Sequence, residues 1–317
     1  MANAYLLAFL ALVLVATTAH VEAMPVDLIG EQFKVSFDIP NATVVQNDAN
    51  STTKLINGSY ESTNQIRCML DYGSGEIGVL YSESTTPDNR SIASTIEKIS
   101  ATDHEAIDIS GYNGLSARGI IDNYEFTAAV TKPSNYSVLE IIGLNDTNAF
   151  EAAAKSCTIE PVSQFIAPMK YDGRTRVEMG GSQFLLSFDI PNSTIVESSD
   201  NNTTELINGS YESRRVLSCV LTTTSGVVDV GYFEETNGNK DIGPEIAAEG
   251  FAPGYKEQIT NLAGYSGFKI SGTRHERNSD VTTVKLSNDA LISIIEINDS
   301  AALDAATASF KIKPVSA

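Results

Sequence analysis

A long segment of this chain is written twice. Gln32–Tyr60 reads QFKVSFDIPNATVVQNDANSTTKLINGSY and Gln183–Tyr211 reads QFLLSFDIPNSTIVESSDNNTTELINGSY, aligned without a gap at an offset of 151 (183 − 32). Repetition on this scale constrains the fold more than composition does, because whatever the first copy folds into, the second must also fold into. The offset still pairs Cys219 with Cys68 and Tyr232 with Tyr81, and it becomes 153 (264 − 111) at Gly264-Tyr265 against Gly111-Tyr112. The shift falls where Pro244, Gly250, Pro253 and Gly254 interrupt the second copy. A chain of 317 residues accommodates two domains that each bury a core of their own. The expected organisation is a leader over 1–23, a first repeat domain over 24–165, a linker over 166–181 and a second repeat domain over 182–317.

Within a copy, hydrophobic period sets the elements. Phe33, Val35, Phe37 and Ile39 alternate at the period of a strand, and Pro40, which lacks a ladder donor, ends it. A polar segment rich in Asn, Ser and Thr runs to Thr53. Strands are expected over Leu55–Leu70 and Glu76–Ser82, with a turn at Gly73-Ser74-Gly75. Asp88–Ser100 places apolar residues at 92, 96 and 99 among Arg90, Glu97 and Lys98, which predicts a helix with one buried stripe. From Ala106 the period returns to two through Ile107 and Ile109, Leu115–Ile121, Tyr124–Thr131 and Tyr136–Ile142, broken by Gly111, Asn123 and Pro133-Ser134-Asn135. That pattern predicts an antiparallel meander. Asn145-Asp146-Thr147 supplies a polar cap for a helix ending at Ser156, and a last short strand ends at Pro161. The expected class is α+β: two tandem copies of an antiparallel-sheet domain with helices packed on it.

Three short motifs accompany this order of elements: F-x-x-S-F-D-I-P at Phe33–Pro40, G-Y-x-G at Gly111–Gly114 and again at Gly264–Gly267, and S-F-K-I at Ser309–Ile312. Together they resemble the PsbP-like family of small α+β domains, named for an extrinsic photosystem subunit and also found in secreted bacterial and archaeal proteins. The resemblance spans Phe33–Ile159 and Phe184–Ile312. It implies an α+β fold and a binding or assembly role, and it carries over no functional residue.

The first residues hold an apolar run from Tyr5 to Ala16 and then Val21-Glu22-Ala23, which reads as a secretory signal peptide cut near Ala23. The run is short for a membrane span, which needs about 20 apolar residues, and no second span follows. The expected location is therefore secreted or associated with the cell envelope. The formal charge is −19. A surface this acidic repels phosphate backbones, so nucleic acid is not an expected partner.

Asn-x-Ser/Thr occurs at Asn41, Asn50, Asn57, Asn89, Asn135, Asn145, Asn192, Asn201, Asn202, Asn208 and Asn298. Asn41, Asn50 and Asn57 recur as Asn192, Asn201 and Asn208, and these six are the main glycosylation candidates on an exported chain. Turn chemistry is the competing explanation for them. Sugar on Asn41–Asn57 and Asn192–Asn208 is expected to shield one sheet edge of each domain.

Cys68, Cys157 and Cys219 are too few for a disulfide framework. Cys68 pairs with Cys219 in the repeat, while Cys157 is replaced by Phe310, which marks a core position. A Cys68–Cys157 bridge, favoured by export, and buried free thiols both remain open. Asp146 and Asp299 fit helix caps better than calcium ligands. His104 and His275 are not copied and lack zinc-site spacing. Tyr60, Tyr81 and Tyr112, copied as Tyr211, Tyr232 and Tyr265, fit either strand-face packing or a stacking surface for sugars or peptides.

No catalytic residue, cofactor or metal is expected. The leading function is a non-enzymatic binding or assembly module, with an unknown protein or glycan partner at the cell surface. The alternative is an extracellular hydrolase using acidic residues such as Asp38 and Asp189.

Overall fold

The structure is a computed structural model that describes residues 26–38, 41–97, 103–121, 123–162, 176–237, 248 and 250–315. The leader over 1–23 and linker residues 166–175 lie outside the described residues. In the first copy the strands are β1 (Val26–Ile29), β2 (Phe33–Phe37), β3 (Thr43–Ile56), β4 (Ser59–Asp71), β5 (Glu76–Ser84), β6 (Asp103–Ile109), β7 (Tyr112–Ile121), β8 (Tyr124–Ser134), β9 (Ser137–Leu144) and β10 (Thr158–Pro161). In the second they are β11 (Arg176–Gly180), β12 (Phe184–Asp189), β13 (Thr194–Ile207), β14 (Ser210–Thr222), β15 (Val227–Glu235), β16 (Lys256–Leu262), β17 (Tyr265–Arg274), β18 (Arg277–Lys285), β19 (Ala290–Ile297) and β20 (Lys311–Pro314). Arg176–Gly180, which the sequence places at the end of the linker, is thus a strand that repeats the role of β1.

Each copy builds two sheets. A small one has the order β1-β2-β10 or β11-β12-β20. A larger one has the order β3-β4-β5-β9-β8-β7-β6 or β13-β14-β15-β19-β18-β17-β16. The first copy's core lies between its two sheets: Leu28, Val35 and Phe37 face Cys68, Ile77, Val79 and Tyr81, and the helix Thr147–Ser156 adds Ala149, Phe150, Ala153 and Ala154. The second copy repeats this with Val177, Leu186 and Phe188 against Cys219, Val228, Val230 and Tyr232.

The α+β expectation and the PsbP-like reading built on it are corrected here. The helices among the described residues are Ile92–Ile96, Thr147–Ser156 and Ser300–Ser309. The layer that closes most of each core is a second sheet, so the protein is almost wholly β. Helical spacing at 92 and 96 did produce a turn of helix, but Ser91 caps only the short segment Ile92–Ile96, and residues 98–102 lie outside the described residues. The polar run before Thr53 is no loop: it is the long strand β3, turned into β4 at Asn57-Gly58, where φ is 52° and 79°. Two consecutive positive-φ residues make the tight hairpin turn that Asn-Gly favours, and Asn208-Gly209 repeats it at 50° and 80°.

The chain resolves into two compact units whose membership departs from chain order. Unit 1 holds residues 1–49, 63–167 and 204–211, and unit 2 holds residues 50–62, 168–203 and 212–317. The tip of the β3–β4 hairpin therefore belongs to unit 2, and the tip of the β13–β14 hairpin to unit 1. In unit 2 the Tyr60 hydroxyl donates to the Ile195 carbonyl at 3.4 Å, and Lys54 pairs with Glu197 at 3.3 Å. In unit 1 the Tyr211 hydroxyl donates to the Val44 carbonyl at 3.2 Å. Strand β3 has a neighbour on both sides. The expected sugar-shielded edge at Asn41–Asn57 is accordingly not an edge.

Candidate functional site

The strongest polar feature that each copy preserves is a buried carboxylate. Glu83 at the end of β5 is 6% exposed and Glu234 at the end of β15 is 4% exposed. Glu83 accepts from the backbone N–H of Glu31 at 2.5 Å and of Gln32 at 3.0 Å, from the Asn64 amide at 3.0 Å and from the Tyr81 hydroxyl at 2.8 Å. Glu234 accepts from the N–H of Ser182 at 2.8 Å and of Gln183 at 2.6 Å, and from the Tyr232 hydroxyl. Burial works against the charge on Glu234, but the bonds from Tyr232, Gln183 and Ser182 outweigh it and hold its pKa below the ordinary value. The same carboxylates leave no room at the turns they clamp, since a Cβ on Gly30 would sit 2.5 Å from the Tyr81 ring and one on Gly181 2.2 Å from the Tyr232 ring. Tyr-x-Glu followed in space by a glycine turn is thus a pin that fixes the β1–β2 and β11–β12 turns. The copied tyrosines pointed to this place. The copied glutamates, which do the bonding, were missed because a charge two residues past a buried tyrosine reads as the exposed end of a strand.

The other candidates fall into scaffold roles. Asp146 and Asp299 cap the two longer helices, accepting from Ala149 N–H at 2.8 Å and Ala302 N–H at 3.0 Å. Bonds from the Ser74 hydroxyl to Asp146, and from Thr223 and Ser225 to Asp299, lower both pKa values. Tyr81 and Tyr232 are fully buried, and Phe33–Tyr112 and Phe184–Tyr265 form edge-on ring pairs at 6.2 Å in both copies. Asp38 and Asp189 lie at the ends of their strands, where their backbone N–H groups bond the Ser156 and Ser309 hydroxyls at 3.3 and 2.9 Å. Each ties a strand to a helix end, and neither is brought to a second carboxylate by these contacts, so the hydrolase alternative gains nothing from them.

Cys68 and Cys157 lie in one core cluster and Cys219 in the other. All three are free and buried, and desolvation pushes each thiol up to about 12, where little thiolate forms. Phe310, at the place of Cys157, stacks on Phe188 at 5.0 Å.

All eleven sequon asparagines are exposed. Asn41, Asn57, Asn145, Asn192, Asn208 and Asn298 have positive φ, between 50° and 66°. Asn tolerates that region better than other side-chain-bearing residues, so backbone geometry accounts for these six. Asn50 and Asn201 sit inside β3 and β13 with no such demand on them.

Unit 2 carries a groove of about 320 Å³. Its walls are β11, β13, β14 and the β3 tip, and its lining is rich in hydroxyls: Ser51, Thr53, Ser198, Ser199 and Ser218. Its charged groups are already engaged. Asp200 takes two bonds from the Arg215 guanidinium at 3.0 and 2.6 Å, and Arg176 pairs with Glu178 at 3.1 Å. Beside it, Asp229 is pushed above its ordinary pKa by burial, against a bond from the Ser218 hydroxyl at 3.1 Å. No group of three or more His, Cys, Asp and Glu placed to hold a metal occurs among the described residues, and no helix among them is long and apolar enough to cross a membrane.

No family model matches the chain, and no curated protein matches it. Among solved structures, the complex of MucA and MucB from Pseudomonas aeruginosa aligns at 10% identity over 86% of this chain and 94% of that one, with a TM-score of 0.18. MucB in complex with MucA(peri) aligns at 10% identity over the same shares, with a TM-score of 0.17. Overlap at that level does not establish a common fold.

Proposed function

We propose that the chain is an exported, non-enzymatic binding or assembly module, secreted or held at the cell envelope, whose ligand-facing concavity is the groove of unit 2. The groove carries the reading. It offers many hydroxyl donors and acceptors on rigid strands, while its acids are committed to ion pairs and its thiol is buried, a composition suited to holding a polar ligand rather than transforming one. Export is supported by the leader-like first residues, and Asn50 and Asn201 are the positions where sugar best accounts for the residue. Strand alternation turns Asn50 away from Ser51 and Thr53, so a glycan there leaves the groove open.

The test is capture of partners from the native culture and envelope fraction by the full chain and by Ser199→Trp, which fills the groove. The expected outcome is that specific species held by the native chain are lost from the variant while its circular dichroism is unchanged. Equal capture by both would remove the groove from the reading.

A further inference from the structure

The groove of unit 2 lies where the two copies differ in bulk. Its walls carry Ser199 and Ser218, and at the same places copy 1 has Asp48 and Arg67 (offset 151). There the Arg67 guanidinium pairs with the Asp48 carboxylate. Two large side chains that close on each other in one copy are thus two short hydroxyls in the other, which gives the groove its room. The hydroxyls of Ser51, Ser198 and Ser199 make no hydrogen bond among the described residues.

One wall of the groove is the whole of β11, from Arg176 to Gly180. This strand ends the small sheet β11-β12-β20, so its second side has no strand beside it among the described residues. Register fixes which groups face that side. The Gly181 N–H donates to the Phe184 carbonyl at 2.9 Å, and Gly180 stands opposite Leu185. Bonded and non-bonded pairs alternate along an antiparallel ladder. Val177 and Met179 therefore bond β12, and the N–H and C=O of Arg176, Glu178 and Gly180 turn to the groove, with no partner among the described residues. At the place of Arg176 copy 1 has Pro25, which has no N–H to give. The charged side chains of the lining are paired, Arg176 with Glu178 and Asp200 with Arg215. What the groove offers is hydrogen bonding without free charge, matched to an uncharged ligand built of amides.

We infer that the groove takes an extended, uncharged polypeptide segment that adds to β11 as a further strand. This rests on the groove as the ligand-facing concavity and names its ligand. Amides on alternate residues of the segment meet those of Arg176, Glu178 and Gly180, and about five residues match the length of β11 at about 3.3 Å per residue. Inward side chains of the segment face Ile195, Leu217, Ser199 and Ser218, so short apolar or hydroxylated residues fit there. A sugar can meet the serine hydroxyls, but it has no donor–acceptor pairs at the two-residue repeat of a strand, about 6.6 Å.

The experiment presents the full chain to an array of heptapeptides of Gly, Ser, Thr, Val and Asn, beside an array of neutral and acidic oligosaccharides. Binding to a subset of the peptides is expected. The tightest peptide is then N-methylated at one set of alternate residues and, separately, at the other. Methylation of one set should weaken binding roughly tenfold or more and of the other by less than about twofold, because only one set of donors faces β11. Glu178→Pro removes an outward donor while leaving the β12 ladder intact. It should weaken binding by a similar factor with unchanged circular dichroism, whereas Glu178→Gln binds as the native chain does. Ser199→Asp with Ser218→Arg, which restores the copy 1 pair, should also abolish binding. Strand addition is overturned by the absence of peptide binding, by equal effects of the two methylations, or by native binding in Glu178→Pro. Oligosaccharides that bind and are lost from Ser199→Trp would leave the groove reading standing and overturn strand addition alone. Peptides held equally by Ser199→Trp would overturn both.

Discussion

The two copies finish the outer face of the meander differently. In copy 1, Phe126, Ala128 and Val130 on β8 lie with Ala117, Val138 and Leu144 beneath the helix Ile92–Ile96, whose Ile96 is fully buried. The corresponding residues of β18 are Ser279, Val281 and Thr283, and among the described residues the cluster there is Ile270 and Val281 with Ala248, Phe251 and Ile295 at its margin. Strand register and the inner core survived duplication, because a slip of one residue would turn every buried side chain to the wrong face. The outer face carries no such penalty, and its residues changed while the inner core was kept.

The inner face differs too, at one end. Copy 1 has Ser116, Thr127 and Gly143 where copy 2 has Lys269, Asp280 and Glu296 (offset 153). Lys269 pairs with Asp280 at 2.8 Å. Glu296 is 3% exposed and stands directly opposite Asp280. One copy thus completes its inner face with small residues and the other with a charged cluster.

The largest expected effect breaks the comparison from the copy 1 side. Ile96→Ala should destabilise unit 1 by about 2–5 kcal/mol, the range for emptying a buried isoleucine site. Hydrogen exchange should show amides of β7 and β8 losing protection while β17 and β18 keep theirs. Equal loss in both would mean that the outer faces are not independent. Next come Glu83→Ala and Glu234→Ala, which should cost about 3 kcal/mol each, since each strands two backbone donors worth roughly 1–3 kcal/mol apiece when unpaired. Equal costs in separate denaturation experiments would confirm the pin as a common device, and unequal ones would assign the difference to the position of Asn64, which bonds Glu83 and is Arg215 in the second copy (offset 151).

A third effect depends on pH. Burial, then the charges of Asp280 and Asp299, raise the pKa of Glu296 above its ordinary 4.5, against the backbone bond from Asp299. Lys269, through its pair with Asp280, is the cation of the cluster. A raised folded pKa means the protonated form is favoured: the contribution to stability is fully present below the ordinary value and is lost as pH rises through the raised one. Glu296→Gln should therefore flatten the decline of unit 2 stability with rising pH, read by chemical unfolding at acidic and neutral pH. An unchanged slope would place the dependence elsewhere, at Asp229 for instance, which burial also raises.

Smaller still is the thiol contrast. The unfolded, unreduced chain should release three titratable thiols and the folded chain almost none. A count of one would show two of the three bridged, and peptide mapping of the pair as Cys68–Cys157 would place the bridge in copy 1, with no equivalent in copy 2. The finest test is glycan mapping, where Asn50 and Asn201 should be occupied ahead of the turn asparagines. Occupancy confined to Asn57 and Asn208 would reverse that order.

The sequence made the repeat, the meander, the helix caps at Asp146 and Asp299 and the core position of Cys157 legible, because each has a local cause in period, cap chemistry or a copied apolar site. It assigned no element to the polar run that ends at Thr53, since polar residues on both faces hide the period of strand β3. It also overlooked Asn57-Gly58, the strongest hairpin signal in the chain. The pin at Glu83 and Glu234 joins segments far apart in sequence, and no local pattern announces it. The α+β reading failed for a related reason: helical spacing was visible in the chain, whereas the pairing of β2 with β10 across more than a hundred residues was not.

The exchanged hairpin tips have a consequence for synthesis. A chain made from its N-terminus adds roughly 5–20 residues per second, and unit 1 includes residues 204–211. Its last members are therefore made a few seconds after residue 167, so unit 1 cannot be complete until synthesis of the second copy has passed the tip of its β13–β14 hairpin.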